Sequence, residues 1–177
     1  MKASSKVNLT AGALMIALAL LAMIGCSQSP LQSASEEPRL LTRTTPDGVA
    51  ASLSPINLYS EVIIPSATGG VLSLLDVTLT VPAGAVKNDT LFSIRIPDDE
   101  VFFNEFGTDG LVFDVPVTVT MSYRNADLSG ITESSIRLAW LDTRTNTWKS
   151  MDCVVDAVSK TVTGQLNHFS AYGLISD

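Results

Sequence analysis

The stretch Val77-Thr78-Leu79-Thr80-Val81 carries an apolar side chain at every second position and a threonine between them. The same alternation returns in Val115-Pro116-Val117-Thr118-Val119-Thr120-Met121, where only the proline departs from it. Successive side chains of a β-strand point to opposite faces, so this period of two predicts strands with one buried face and one hydroxyl-bearing face. Such half-buried strands are typical of antiparallel sheets.

Short runs of β-branched and aromatic residues extend this pattern, and no ten-residue stretch after residue 60 keeps a helical period. They predict nine strands, at residues 61–64, 70–75, 77–81, 90–96, 111–123, 136–141, 147–155, 161–166 and 168–175. Pro116 predicts a bend or an edge position in the longest run. Turn-forming residues at 142–146 and 156–160 predict a C-terminal meander. The expected fold is an all-β antiparallel sandwich of about 8–9 strands.

The N-terminus reads as an export signal. Lys2 and Lys6 precede an apolar stretch at residues 11–24, which ends in Met23-Ile24-Gly25-Cys26. This ending resembles the lipobox of bacterial lipoproteins, with Met where Leu is usual. The resemblance implies removal of residues 1–25 and lipidation of Cys26 with fatty acids such as palmitate. A secretory signal with a chance cysteine is the alternative.

Residues 26–60 predict a flexible linker behind that cysteine, because four prolines and many polar residues oppose regular structure. Residues 61–177 then form the folded domain. The lipid would make the membrane a partner and place the protein in the cell envelope. Since Ser27 and not Asp follows Cys26, the resemblance implies the outer membrane where the host has one.

Charge narrows the range of partners. The net charge is −7, and removal of Lys2 and Lys6 with the signal would make it −9. An acidic protein without clustered Lys or Arg is not expected to bind nucleic acid or anionic lipid. Cys153 is left as a single cysteine, which predicts a small buried hydrophobic residue on a strand, with a reactive thiol as the alternative.

Several landmarks of the folded part together resemble the ZU-five domain, named for tight-junction, netrin-receptor and ankyrin proteins. They are Gly69-Gly70-Val71, Leu79-Thr80-Val81-Pro82-Ala83-Gly84-Ala85-Val86, the central run from Pro116 to Met121, Trp140 to Trp148, and His168-Phe169-Ser170 with Tyr172. The match covers about residues 69–175. It implies a β-sandwich that serves interaction or assembly, without a catalytic cleft or cofactor.

His168-Phe169-Ser170 contains the only histidine of the chain. In some ZU-five relatives, a tripeptide of this type is where the protein cuts its own backbone. By that resemblance Ser170 would attack the carbonyl of Phe169, and His168 would accept the proton. The alternative is structural: Phe169 packs inward while His168 and Ser170 face the other way on a final strand.

Acidic residues gather at Asp98, Asp99, Glu100, Glu105 and Asp109, beside Phe102, Phe103 and Phe106. Oxygen ligands and glycines suit calcium, which makes Asp98, Asp99, Glu105 and Asp109 weak metal candidates. A solvated acidic loop is the preferred interpretation. The phenylalanines would cover the core or, alternatively, form an apolar binding tip.

These patterns favour a non-enzymatic, cofactor-free, lipid-anchored envelope protein that binds an unidentified protein. A self-processing module is one alternative. A carbohydrate-binding sandwich is another, and it requires Trp140, Trp148, Tyr123 and Tyr172 to line one exposed face.

Overall fold

The computed structural model describes residues 38–44 and 58–176, and within them the chain is all-β, with one short 3-10 turn at Glu133–Ser135. The strands are β1 (Arg39–Leu40), β2 (Leu58–Ile64), β3 (Gly70–Leu74), β4 (Val77–Val81), β5 (Thr90–Ile96), β6 (Phe103–Gly107), β7 (Val112–Ser122), β8 (Ile136–Asp142), β9 (Thr147–Ser150), β10 (Cys153–Asp156), β11 (Thr161–His168) and β12 (Ala171–Ser176). The predicted signal, residues 1–25, lies outside the described residues.

The strands form two antiparallel sheets. One has the order β2-β5-β6-β12-β8-β9, and β1 joins it beside the end of β12. The other has the order β10-β11-β7-β4-β3. The buried side chains of both sheets make one hydrophobic core. The prediction of an antiparallel β-sandwich is therefore confirmed.

The described residues contain twelve strands, where nine were predicted. The run at 147–155 is two strands, because the chain leaves β9 in the seven-stranded sheet and enters β10 in the other one. Both predicted hairpins of the meander form, between β8 and β9 and between β10 and β11, but they lie in different sheets. The remaining two additions are β1, inside the predicted linker, and β6, inside the predicted acidic loop.

Alternation places the core side chains as expected in β4, where Val77, Leu79 and Val81 are buried. It fails at Val115, which was predicted to point inward and is 41% exposed. The pairing of β7 with β11 shifts register between Leu166 and His168, opposite this part of β7. Pro116 has no N–H to donate to the β-ladder. The register shift therefore lies at the place where the proline predicted a bend.

The chain reverses direction after β4, at Pro82-Ala83-Gly84. Gly84 has a φ of +75°, a value that glycine adopts without steric cost, and its N–H donates to the carbonyl of Ser66 at 2.8 Å. Gly69 has a φ of +68° and approaches the end of β4 so closely that a Cβ there would collide with the carbonyl of Val81. The turn that contains Gly69 and the Pro82-Ala83-Gly84 turn thus lie against each other.

Residues 38–44, which we call the docked segment, correct the predicted linker boundary. Leu41 is 1% exposed and packs in the core, and its N–H donates to the carbonyl of Leu174 at 2.8 Å. The Arg43 guanidinium binds both carboxylate oxygens of Asp76, with Nε to Oδ2 at 2.8 Å. The same guanidinium lies 4.3 Å from the centre of the Phe102 ring. The segment is therefore part of the sandwich.

Candidate functional site at the crossing between the sheets

The His168-Phe169-Ser170 tripeptide lies where the chain passes from one sheet to the other. His168 is the last residue of β11 in the five-stranded sheet, and β12 of the other sheet begins at Ala171. Phe169 and Ser170 make the crossing, so the prediction that all three residues belong to a final strand is wrong. The Phe169 N–H donates to the carbonyl of Leu111 at 2.8 Å, and the Ser170 carbonyl accepts from the N–H of Phe106 at 3.1 Å.

Phe169 is the centre of an aromatic cluster in the core. Its side chain is 1% exposed. Its ring makes edge contacts with Phe113 at 4.8 Å and Phe92 at 5.0 Å between centroids, and a tilted contact with Phe106 at 5.9 Å. The expectation that Phe169 packs inward is confirmed, and the cluster holds the crossing in place.

His168 is half-buried between two aromatic side chains, with Trp140 at 5.5 Å and Tyr172 at 6.2 Å between ring centroids. The Tyr172 hydroxyl donates to the His168 carbonyl at 2.7 Å. Burial, and to a smaller extent the charge of Asp109, raises the pKa of Tyr172 far above its usual value. Tyr172 therefore stays a neutral donor that fixes the backbone of His168.

The carbonyl oxygen of Phe169, which belongs to the candidate scissile bond, faces two nitrogen atoms. The N–H of Gly110 donates to it at 3.1 Å, and Nδ1 of His168 lies 3.2 Å from it. With the Nδ1 proton present, both groups would donate to this oxygen, as donors in an oxyanion hole do. The imidazole is thus directed at the carbonyl oxygen, whereas the sequence assigned it to the Ser170 hydroxyl.

The acidic residues separate in the fold. Glu105 lies on β6 and pairs with Arg95 at 2.9 Å, while the Asp98 carboxylate accepts the N–H of Glu100 at 2.8 Å. Within residues 38–44 and 58–176, no group of three or more His, Cys, Asp or Glu side chains is placed to hold a metal ion. Phe102 and Phe106 are buried, which confirms that they cover the core, and Phe103 is half-buried.

The four aromatic residues of the carbohydrate hypothesis do not share an exposed face. Tyr123 and Tyr172 are 0% and 1% exposed. Trp140 pairs in register with Tyr172 and packs against the core. Trp148 follows in the next strand beside Leu141, with its ring edge on Phe103. The condition set by that hypothesis is not met.

A polar network that the sequence did not reveal joins three distant residues. The Tyr123 hydroxyl donates to Glu133 at 2.7 Å, and the Lys160 ammonium donates to the other oxygen of that carboxylate at 2.6 Å. Burial and this acidic neighbour raise the pKa of Tyr123 to about 12. The hydrogen bonds from Lys160 and Tyr123 lower the pKa of Glu133. No local motif signals such a contact, because it depends on the tertiary fold.

The outer face of the five-stranded sheet is uncharged at its centre. Cross-strand pairs align Thr78, Thr120 and Thr163 in one row and Thr80, Thr118 and Gln165 in the next. Hydrogen bonds link neighbouring side chains, including Gln165 to Thr118 at 2.9 Å and Thr120 to Thr163 at 3.2 Å. We call this surface the hydroxyl face; it consists of Ser73, Thr78, Thr80, Thr118, Thr120, Ser122, Thr161, Thr163 and Gln165.

Cys153 begins β10 and is half-buried against the core, so it is more exposed than the sequence suggested. Its Sγ accepts the N–H of Leu138 at 3.4 Å, which gives the sulfur a structural contact between the two sheets. In the described part of the chain, no helix has the length and apolar character needed to cross a membrane.

Compared with protein-family models and with curated proteins, the chain matches none.

Proposed function

We propose that this chain is a lipid-anchored protein of the bacterial cell envelope whose ZU-five-like sandwich acts as a protein-interaction or structural module. Three successive features of the N-terminal sequence support the anchor. They are the basic Lys2 and Lys6, the apolar stretch at residues 11–24, and its ending in Met23-Ile24-Gly25-Cys26. Two or more acyl chains on Cys26 would give stable membrane attachment.

The hydroxyl face is the observation that supports the proposal of an interaction module. The protein is acidic, yet the centre of this five-stranded surface presents hydroxyl, methyl and amide groups without a charge. Interface cores are depleted of charged residues, because a charge loses its hydration when a partner covers it. A neutral sheet face can be covered without that cost, and its hydroxyl groups both donate and accept hydrogen bonds.

The module is tested by crosslinking in native membranes. We expect a crosslinked species of the wild-type protein that Thr80→Arg removes, because the arginine would introduce a charge into the exposed centre of the hydroxyl face. Val158→Arg is the matched control, since Val158 is 93% exposed in the turn between β10 and β11. Persistence of every crosslinked species in Thr80→Arg would contradict this placement of the interaction.

The anchor is tested separately by feeding cells labelled palmitate. The label should enter the wild-type protein and Cys153→Ser but not Cys26→Ser, and only Cys26→Ser should leave the membrane fraction. Equal labelling of all three proteins, or of none, would refute lipidation at Cys26.

Self-processing is a second candidate, favoured by the two nitrogen atoms at the Phe169 carbonyl oxygen. In this reaction the Ser170 hydroxyl oxygen attacks the Phe169 carbonyl carbon, and negative charge develops on the carbonyl oxygen beside Gly110 and His168. The bond to the Ser170 nitrogen then breaks, and that nitrogen receives the hydroxyl proton. Water hydrolyses the resulting ester, which yields a carboxylate at Phe169 and restores the Ser170 hydroxyl.

Intact-mass measurement of the denatured protein tests this reaction. Cleavage would give a released piece of residues 170–177 that is absent in Ser170→Ala and present in Ser176→Ala. A single uncut mass for the wild-type protein, after prolonged incubation, excludes the reaction.

A further inference from the structure

The peptide bond between Phe169 and Ser170 is fixed on both sides of the Phe169 carbonyl group. Before it, the Phe169 N–H donates to the carbonyl of Leu111 at 2.8 Å. After it, the Ser170 carbonyl accepts the N–H of Phe106 at 3.1 Å. The Phe169 side chain is 1% exposed and locked in the aromatic cluster. These contacts hold the Phe169 carbonyl oxygen in one direction relative to the groups around it.

The imidazole of His168 is held toward that oxygen. Its ring contacts the rings of Trp140 and Tyr172, and the Tyr172 hydroxyl binds the His168 carbonyl at 2.7 Å. Nδ1 of the imidazole lies 3.2 Å from the Phe169 carbonyl oxygen. Among the described residues, no hydrogen bond joins this ring to the Ser170 hydroxyl. The ring thus faces the oxygen of the candidate scissile bond and is not bonded to the nucleophile.

This contact decides which ring nitrogen carries the proton. A carbonyl oxygen only accepts hydrogen bonds, so Nδ1 must be protonated to bind it, and the neutral ring is then the Nδ1–H tautomer. We propose that His168 is an electrophilic catalytic residue, whose Nδ1–H donates to the Phe169 carbonyl oxygen beside the Gly110 N–H, and that it is not the base. This role rests on the self-processing proposed above, and it differs from the role that the sequence assigned to His168.

The reaction balances without a proton on or off His168. The Ser170 hydroxyl oxygen forms a bond to the Phe169 carbonyl carbon, and an electron pair of the carbonyl group moves onto its oxygen. When the pair returns, the bond to the Ser170 nitrogen breaks and that nitrogen receives the hydroxyl proton. Between these steps the oxygen is negative, and the N–H groups of Gly110 and His168 stabilise it. Donors that are already in place act in this way at little cost of reorganisation.

The tautomer is measured by nuclear magnetic resonance on the full chain carrying Ser170→Ala, which keeps the backbone and cannot cut itself by this reaction. The chain has one histidine, so a long-range proton–nitrogen correlation spectrum of the isotope-labelled protein shows a single imidazole. At a pH of about 9, where histidine side chains are ordinarily neutral, we expect the proton on Nδ1. This measurement does not depend on whether the wild-type protein cuts itself.

Three substitutions of His168 test the catalytic role, with the fraction cut followed in time by intact mass. Asparagine carries an amide nitrogen where histidine has Nδ1, so His168→Asn should cut within about tenfold of the wild-type rate, as amide donors serve in oxyanion holes. His168→Gln is the matched control, because its amide nitrogen corresponds to Nε2. His168→Gln and His168→Ala should cut about 100-fold or more slowly, as the loss of one oxyanion donor does.

The outcomes separate this role from the reaction on which it rests. An Nε2–H tautomer would overturn the donor role and leave the reaction in place. An equal loss of cutting in all three His168 variants would do the same, because a neutral amide cannot replace a base. A wild-type protein that stays uncut would refute the reaction and, with it, any catalytic role of His168. Circular dichroism establishes that each variant is folded, and the tautomer decides the matter where a variant is not.

Discussion

Replacement of Arg43 by methionine tests the attachment of the docked segment. Methionine keeps an unbranched apolar side chain but removes the guanidinium, which is bound to both oxygens of Asp76 at 2.8 and 3.1 Å. The side chains of Arg43 and Asp76 are only 7% and 10% exposed. The guanidinium also covers the Phe102 ring and donates to the carbonyl of Val101. The substitution would thus leave a carboxylate buried without its cation.

The size of the effect follows from that burial. Removing one partner of a buried ion pair costs about 3–5 kcal/mol, because the remaining charge has lost its hydration. For a domain of this size, such a loss should lower the melting temperature by roughly 10–20 °C. Arg43→Met combined with Asp76→Leu should recover part of this loss, since no uncompensated charge then remains.

Urea unfolding followed by tryptophan fluorescence measures the change in free energy, with Trp140 and Trp148 as the reporters. Arg95→Met is the matched control: Arg95 pairs with Glu105 at 2.9 Å, and the two side chains are 46% and 41% exposed. An exposed pair contributes at most about 1 kcal/mol. If Arg43→Met unfolded within about 1 kcal/mol of the wild-type protein, the pair would act like that surface pair, and the docked segment would not be held as described.

Three further measurements address the core and the polar network. Phe169→Ala should lower the free energy of unfolding by about 3–5 kcal/mol through the cavity it leaves, whereas Val112→Ala, at a site 71% exposed, should change it by less than about 0.5 kcal/mol; equal effects would contradict the aromatic cluster. The lowered pKa of Glu133 stabilises the fold above the usual Glu value of 4.5, so stability should fall as the pH drops through and below that value, and Glu133→Gln should flatten this part of the acid profile. The pKa of Tyr123 rises from 10.0 to about 12 in the fold, so its contribution should be lost as the pH increases through that interval; a Tyr123→Phe profile identical to wild type between those values would exclude it.

The sequence predicted the strands whose burial alternates regularly. For β4 and β5 the predicted bounds, 77–81 and 90–96, coincide with the observed ones. In both strands the buried side chains fall at alternate positions, which the sequence shows as alternating apolar residues. β6 alternates too, with Asn104 and Phe106 buried. The sequence did not show this alternation, because the buried residue Asn104 is polar and Glu105 lies between it and Phe106. β1 has two residues, too few for any period to appear.

For the candidate site, too, the sequence predicted the residue types but not the contacts between residues that are far apart in the chain. The tripeptide could be selected from sequence because its residue types suit one reaction. Its place at the crossing depends on β11 and β12 pairing in different sheets, and the contact of Gly110 with the Phe169 carbonyl joins residues 59 positions apart. Residue types can suggest a nucleophile, but only tertiary structure decides which atom the imidazole faces.

The docked segment also changes the reach of the proposed anchor. A linker from Cys26 to Ser60 would contain 34 residue steps and span up to about 110 Å, far beyond a bilayer surface. Because the sandwich already begins at Arg39, only 13 steps separate it from Cys26, and these span at most about 43 Å. Release of the Arg43 contacts would restore the longer reach without any change in the anchor. With the proposed lipid on Cys26, the docked segment would limit how far the sandwich can stand from the membrane, and Arg43→Met, which weakens the attachment of that segment, should extend the distance.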